Sequence, residues 1–233
     1  MLGRKNITQA VTRLSTRRFV SHPALETLRK LFCKYRYLFF DLNTADYWDG
    51  LWTTEIASSY RRRITRMYDE IISLIPKNAT LLDVGCGIGY LMDRARTEAR
   101  CDVYGIDISG RAIGHILAKG MKGKVCSVPP IPYPSDTFDV VTSTQLLEHS
   151  RKPLAIIREI FRVTRPGGTI CISVPEDCCH PDEVAEHNHL FTRDELHYLT
   201  RQASQYSAIR FISVCEKGSD TIRLLAVCRK DNS

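Results

Sequence analysis

Apolar and polar positions along this chain alternate between two rhythms, and the alternation predicts its elements. Tyr47, Trp48, Leu51 and Trp52 form an aromatic cluster, after which Ile64, Met67, Tyr68, Ile71 and Ile72 recur at helical spacing up to Pro76 and Asn78. A βα alternation then begins. Thr80–Val84 reads as a strand, 85–89 as a glycine-rich turn and Tyr90–Ala99 as a helix. Val103–Ile106 is a second strand and Ser109–Lys119 a second helix of this series. Lys124–Ser127 makes a weaker strand before a loop rich in proline, with Pro129, Pro130, Pro132 and Pro134. Phe138–Thr142 is the fourth strand, Leu154–Val163 a helix with Ile156, Ile157, Ile160 and Phe161 on one side, and 165–168 a turn. Thr169–Val174 is the fifth strand. Thr192-x-x-Glu195 is a capping box that opens a helix to about Ser204, and Arg210–Val214 and Thr221–Cys228 are the last two strand candidates. The expected fold is α/β: a Rossmann-like, seven-stranded, mostly parallel sheet with helices on both faces and the last strand antiparallel. A helical extension precedes it. The division expected is 1–43 for that extension and 44–233 for the domain.

Composition refines this picture. The chain has 233 residues, 43% of them apolar, which is enough for one sizeable core. No apolar run approaches the length of about 18 that a transmembrane helix needs. The nine cysteines are scattered, odd in number and free of any CxxC pair, as expected of buried thiols in a reduced compartment. Cys178-Cys179-His180 suggests a metal, but adjacent cysteines suit one tetrahedral ion poorly. The net charge of +7 is uneven: residues 1–36 hold nine Lys or Arg against Glu26, net +8, and the rest holds 24 basic and 25 acidic residues, net −1. A nearly neutral body argues against a broad nucleic-acid face. The basic arm has three readings, of which the first is preferred: a solvated helical extension that covers the active site, a contact with an anionic membrane surface or acidic partner, or an organelle transit peptide. The expected location is cytoplasmic, with mitochondrial or peripheral-membrane placement as the alternatives.

The candidate chemistry begins at Asp83-Val84-Gly85-Cys86-Gly87-Ile88-Gly89, which follows a strand and opens a helix. Glycines there let the backbone turn sharply and approach a ligand. Asp107, at the end of the next strand, can accept hydrogen bonds from both hydroxyls of a ribose. Asp83 stands where a structural role would call for an apolar residue, and its carboxylate can pair with an ammonium group. The turn reads G-x-G-x-G, with Tyr90 where the third glycine of a dinucleotide fingerprint would fall. A ligand with ammonium, ribose and adenine but no pyrophosphate therefore fits better.

These residues resemble the first motif of class I S-adenosylmethionine-dependent methyltransferases. The resemblance continues in order through Asp107, Pro132 with Asp136–Val141, Leu147-Glu148-His149 and Arg165–Gly168, so it spans roughly residues 44–228. It is similar in flavour to the small-molecule group that includes ubiquinone-biosynthesis enzymes. The resemblance implies S-adenosyl-L-methionine as cofactor. It implies that Asp83, Gly85, Cys86, Gly87 and Gly89 hold the methionine end, that Asp107 takes the ribose and that Ile108 packs on the adenine. Ser127, beside Val128, stands where relatives often carry an acid for the adenine amine. Gln145 would line the methionine end.

The sulfonium already carries a good leaving group, so the main demand on the protein is alignment of the acceptor. A hydroxyl acceptor would also need a base. His149, next to Glu148, is the candidate, with a purely structural role as the competing reading. Of His187 and His189, which alternate, one is expected at the acceptor pocket, and His189 is carried as the candidate. Some relatives bind a divalent metal through E-x-x-E-H and later histidines. Here Gln145 replaces the first carboxylate, so no metal is expected. The expected activity is methyl transfer to an O, N or C centre of a small-molecule acceptor, with O preferred on account of His149. No Asn/Asp-Pro-Pro-aromatic signature follows the fourth strand. The rivals are a membrane-surface lipid or quinone methyltransferase, an RNA methyltransferase, and a non-catalytic cofactor-binding protein.

Overall fold

The computed structural model describes residues 42–52, 65–176, 187–203, 206–216 and 222–232. The basic arm, Ile64 and the Cys178-Cys179-His180 run lie outside the described residues. Among those described, the order is α1 (Ala45–Leu51), α2 (Thr65–Leu74), β1 (Thr80–Val84), α3 (Tyr90–Glu98), β2 (Asp102–Asp107), α4 (Gly110–Ala118) and β3 (Lys122–Val125). Then follow β4 (Phe138–Thr144), a short 3-10 turn (Leu147–His149), α5 (Pro153–Val163), β5 (Thr164–Pro175), α6 (Arg193–Ala203), β6 (Tyr206–Cys215) and β7 (Ile222–Lys230).

The seven strands form one sheet in the order β3-β2-β1-β4-β5-β7-β6. Strands β1 to β5 pair in parallel, and β7 runs antiparallel to both β5 and β6. Successive side chains of a strand point to opposite faces, so each strand supplies two cores. Leu81 joins Met67 and Ile71 of α2, Leu91 and Met92 of α3, and Ile113 and Ile116 of α4. Leu82 and Val84 join the other face, under Ile156, Ile157, Ile160 and Phe161 of α5 and Leu196 of α6. Pro153 starts α5, where its missing N–H costs nothing, and the Thr192 hydroxyl caps α6 by accepting from Glu195 N at 3.1 Å.

Three expectations from the sequence needed correction. β3 lies two residues earlier than the apolar Val125-Cys126 pair suggested, because the parallel register with β2 sets Lys122 opposite Tyr104. An edge strand need not be apolar, and this one is largely exposed. The Arg165–Gly168 turn is instead a bulge within β5: Thr164 pairs with Phe138 and Thr169 with Val140. The aromatic cluster, read only as a prelude to α2, folds into a helix of its own, α1, capped by Thr44 and with Trp52 just past its end.

The sheet places the chemistry. Strand order reverses between β1 and its neighbours β2 and β4, and the crevice beyond their carboxyl ends is where α/β sheets receive ligands.

Candidate active site

A cavity of about 350 Å³ opens at that point. Its wall includes Gly85, Ile106, Asp107, Ile108, Ser127, Val128, Gln145 and His149. The turn after β1 is fixed from below, since Gly85 N and Cys86 N both donate to the carbonyl of Ile106, at 2.8 and 3.1 Å. Gly87 has φ of +50°, and a Cβ there would meet the Trp52 ring at 2.7 Å, so only glycine fits.

Asp107 is held by its surroundings before any ligand arrives. Oδ2 accepts from Gly87 N and Oδ1 from Ser109 N, each at 2.9 Å. Burial pushes its pKa up, while those two N–H groups pull it back. Each carboxylate oxygen keeps accepting capacity for a further donor, as a ribose diol requires. Asp83 lies below the cavity wall rather than in it. It is buried, its Oδ1 accepts from the Thr142 hydroxyl at 2.8 Å, and burial pushes its pKa up to about 7. A cation brought near would favour the charged form. Cys86 is buried and its thiol is raised well above the usual range by burial, which makes it a packing group rather than a nucleophile.

Helix α1 covers this region. Trp48 and Trp52 both line the cavity. Asp49 Oδ1 accepts from the Ser109 hydroxyl and from Arg111 N, the latter at 3.0 Å, so α1 supplies an acid to the start of α4. Those hydrogen bonds hold the Asp49 carboxyl below its ordinary range, the one from Ser109 most of all.

The second half of the site is the 3-10 turn after β4. His149 faces the cavity, and its ring meets Trp48 edge-on at 4.9 Å and His187 at 5.0 Å. Glu148 is buried, with Oε1 3.9 Å from His149 Nε2 and Oε2 lacking a hydrogen-bond partner among the described residues. Burial drives its pKa up to about 8, offset in part by Arg223 of β7. The segment that begins at His187 is tied to this turn by its backbone, as Asn188 N and His189 N donate to the Glu148 carbonyl at 2.7 and 3.1 Å. Of the two alternating histidines, His187 sits beside His149, whereas the His189 ring packs near Phe191 at 5.9 Å. Glu148, His149 and His187 each offer one ligand atom, all within 4.8 Å of one another. Gln145, where some relatives carry a first carboxylate, adds no charged ligand to this group.

The structure thus brings Gly85, Asp107, Ile108, Ser127, Val128, Gln145 and His149 to one cavity, with Asp83, Cys86, Gly87 and Gly89 around the turn behind it and Glu148 buried next to His149. Sequence reasoning passed over Asn43, Trp48 and Trp52 as wall residues. The aromatic cluster was the available signal. It also passed over Gln145's backbone: φ is +53°, a left-handed conformation that costs a non-glycine residue about 1 kcal/mol or more and gathers at functional sites.

Comparison with known proteins agrees with this layout. The chain is 32% identical over 133 residues to 27-O-demethylrifamycin SV methyltransferase of Amycolatopsis mediterranei (strain S699), covering 53% of this chain and 48% of that protein. It is 34% identical over 112 residues to the ubiquinone biosynthesis O-methyltransferase of Dechloromonas aromatica (strain RCB), covering 45% and 47% respectively. The chain thus spans about half the length of the curated relatives it matches. Among solved structures, the 1,6-didemethyltoxoflavin-N1-methyltransferase of Burkholderia thailandensis, with bound 1,6-didemethyltoxoflavin and S-adenosylhomocysteine, superposes with a TM-score of 0.64 at 19% identity, covering 93% of each chain, which is a likeness of fold. Residues 54–219 match the family described as Methyltransferase domain, and with this sheet order the chain belongs to the class I S-adenosylmethionine-dependent methyltransferases.

Proposed function

We propose that the protein binds S-adenosyl-L-methionine in the crevice at β1, β2 and β4 and transfers its methyl group to a small molecule, with an oxygen atom as the preferred acceptor. The observation that carries this reading is the continuity of one cavity from Asp107 to His149. Asp107 accepts from the ribose hydroxyls, and Ile108 and Val128 enclose the adenine, with Ser127 and its backbone in place of an acid. Gly85 and Gln145 border the methionine end, and Asp83 faces the ammonium from beneath.

When bound, the cofactor supplies an electrophilic methyl group on a sulfonium that leaves readily. The chain's own task is alignment and desolvation. Trp48 and Trp52 exclude water from one side of the cavity. His149 accepts a proton from the acceptor hydroxyl at a ring nitrogen facing the cavity, with the buried Glu148 packed behind the ring. His187, rather than His189, buttresses that ring from the acceptor side. The relatives named for O-methylation and the structure named for N1-methylation support a small-molecule acceptor and leave the atom to the base. No helix among the described residues is long and apolar enough to cross a membrane.

The test is mass spectrometry of cell extract incubated with the protein and a deuterated methyl donor. A labelled small metabolite is the expected result. Label appearing only in RNA or lipid, or a calorimetric titration in which the folded protein ignores S-adenosylmethionine, would overturn it.

A further inference from the structure

One chain of contacts links helix α1 to the ribose carboxylate. Ser109 N donates to Asp107 Oδ1 at 2.9 Å. The Ser109 hydroxyl donates to Asp49 Oδ1 and accepts from Ala112 N at 3.0 Å, so its rotation is fixed at both ends. Asp49 Oδ1 also accepts from Arg111 N at 3.0 Å. The other oxygen of Asp107 accepts from Gly87 N, and Gly87 is the residue against which Trp52, just past the end of α1, lies. Both oxygens of the ribose carboxylate are therefore held by backbone N–H groups of residues that α1 and its C-cap adjoin, Ser109 through the Asp49 contact with its hydroxyl and Gly87 through the neighbouring Trp52 ring. Asp49 makes no contact with the cavity itself.

We propose that Asp49 is a positioning residue for cofactor binding: acting through Ser109, it orients Asp107 for the ribose and couples the docking of α1 to recognition of that sugar. The acid supplied to the start of α4 would by itself stabilise the helix. Its place on the hydroxyl of the residue that donates to Asp107 gives it a second consequence. When α1 departs, Ser109 loses an acceptor and Gly87 loses the Trp52 ring at the same moment, and Asp107 is left with two looser donors. The effect is strongest for ligands whose ribose hydroxyls engage Asp107.

This inference rests on the methyltransferase reading, and wild-type binding of S-adenosylhomocysteine, measured first, keeps the two apart. The experiment is calorimetric titration of the full chain with S-adenosylhomocysteine and with its analogue lacking both ribose hydroxyls. Asp49→Ala should weaken S-adenosylhomocysteine about tenfold. It should weaken the analogue no more than about twofold, because the group that Asp49 positions then has nothing to bind. Asp49→Asn, which keeps an accepting oxygen and so guards against misfolding of the alanine variant, should fall between wild type and Asp49→Ala for S-adenosylhomocysteine. Equal losses for both ligands would reduce Asp49 to a helix cap and overturn the proposal, as would no loss in either variant.

Discussion

The two halves of this site are built in different ways. The half proposed to take the cofactor is largely local. The turn at 85–89 follows β1, Asp107 ends β2 and Ser127 lies two residues past β3, and backbone N–H groups hold the turn and Asp107. The half proposed to take the acceptor is assembled from afar: Glu148 and His149 from the turn after β4, His187 from the segment before α6, Arg223 from β7 and Trp48 from α1. The first half is rigid geometry for a ligand that does not change. The second is a set of side chains that loops and neighbouring strands can vary, as expected where one fold serves many acceptors. Its polar groups are also less well satisfied, since Glu148 Oε2 is buried without a partner among the described residues.

The contrast can be broken or sharpened by separating binding of the cofactor from transfer of its methyl group. The largest effect is expected in the acceptor half. His149→Ala should cut transfer to the labelled metabolite about 100-fold or more, as loss of a general base does, while leaving the dissociation constant for S-adenosylhomocysteine within about twofold. A parallel loss of cofactor affinity would erase the distinction between the halves. Next comes the turn itself. Gly89 has φ of +77°, and a Cβ there would meet Ile116 Cγ2 at 2.6 Å. Gly89→Val should therefore lower unfolding stability in urea by about 2–4 kcal/mol, through both strain and overpacking. Unchanged stability would mean that the turn is less constrained than its geometry says.

Asp107→Ala should weaken S-adenosylhomocysteine by about 1–3 kcal/mol, read by calorimetry, with little change in the thermal midpoint of the unliganded protein. The smallest effect concerns Glu148, whose folded-state pKa is raised to about 8 by burial. A carboxyl with a raised folded pKa holds its proton in the native state after the unfolded chain has released it. Its contribution is therefore favourable at low pH and is lost as pH rises from about 4.5 toward 8. Glu148→Gln cannot ionise. It should gain about 1–2 kcal/mol relative to wild type between pH 5 and 8, measured by denaturant titration at each pH. A difference that does not vary with pH would show that the carboxyl is not strained by its surroundings.

Several features were legible before any coordinates. Periodicity located all seven strands, because parallel strands buried on both faces carry short branched runs that differ from the 3.6 spacing of their helices. The errors fell where local pattern and sheet register disagree. β3 is a lysine-rich edge whose limits are set by pairing with β2, and the bulge at Arg165–Gly168 has the composition of a turn but lies between two paired stretches of one strand.

The chain's own order of residues determined the turn, the carboxylates at 83 and 107 and the parallel alternation, because each depends on neighbours within a few positions of backbone. Tertiary structure alone decided that His187 and not His189 meets His149, that Trp48 and Trp52 roof the cavity, and that Asp49 reaches Ser109. Those pairings join segments tens of residues apart, and no local periodicity fixes which side chain of a loop or short helix turns inward. That choice is made by the packing of the whole sheet and by the burial and hydrogen bonding it imposes.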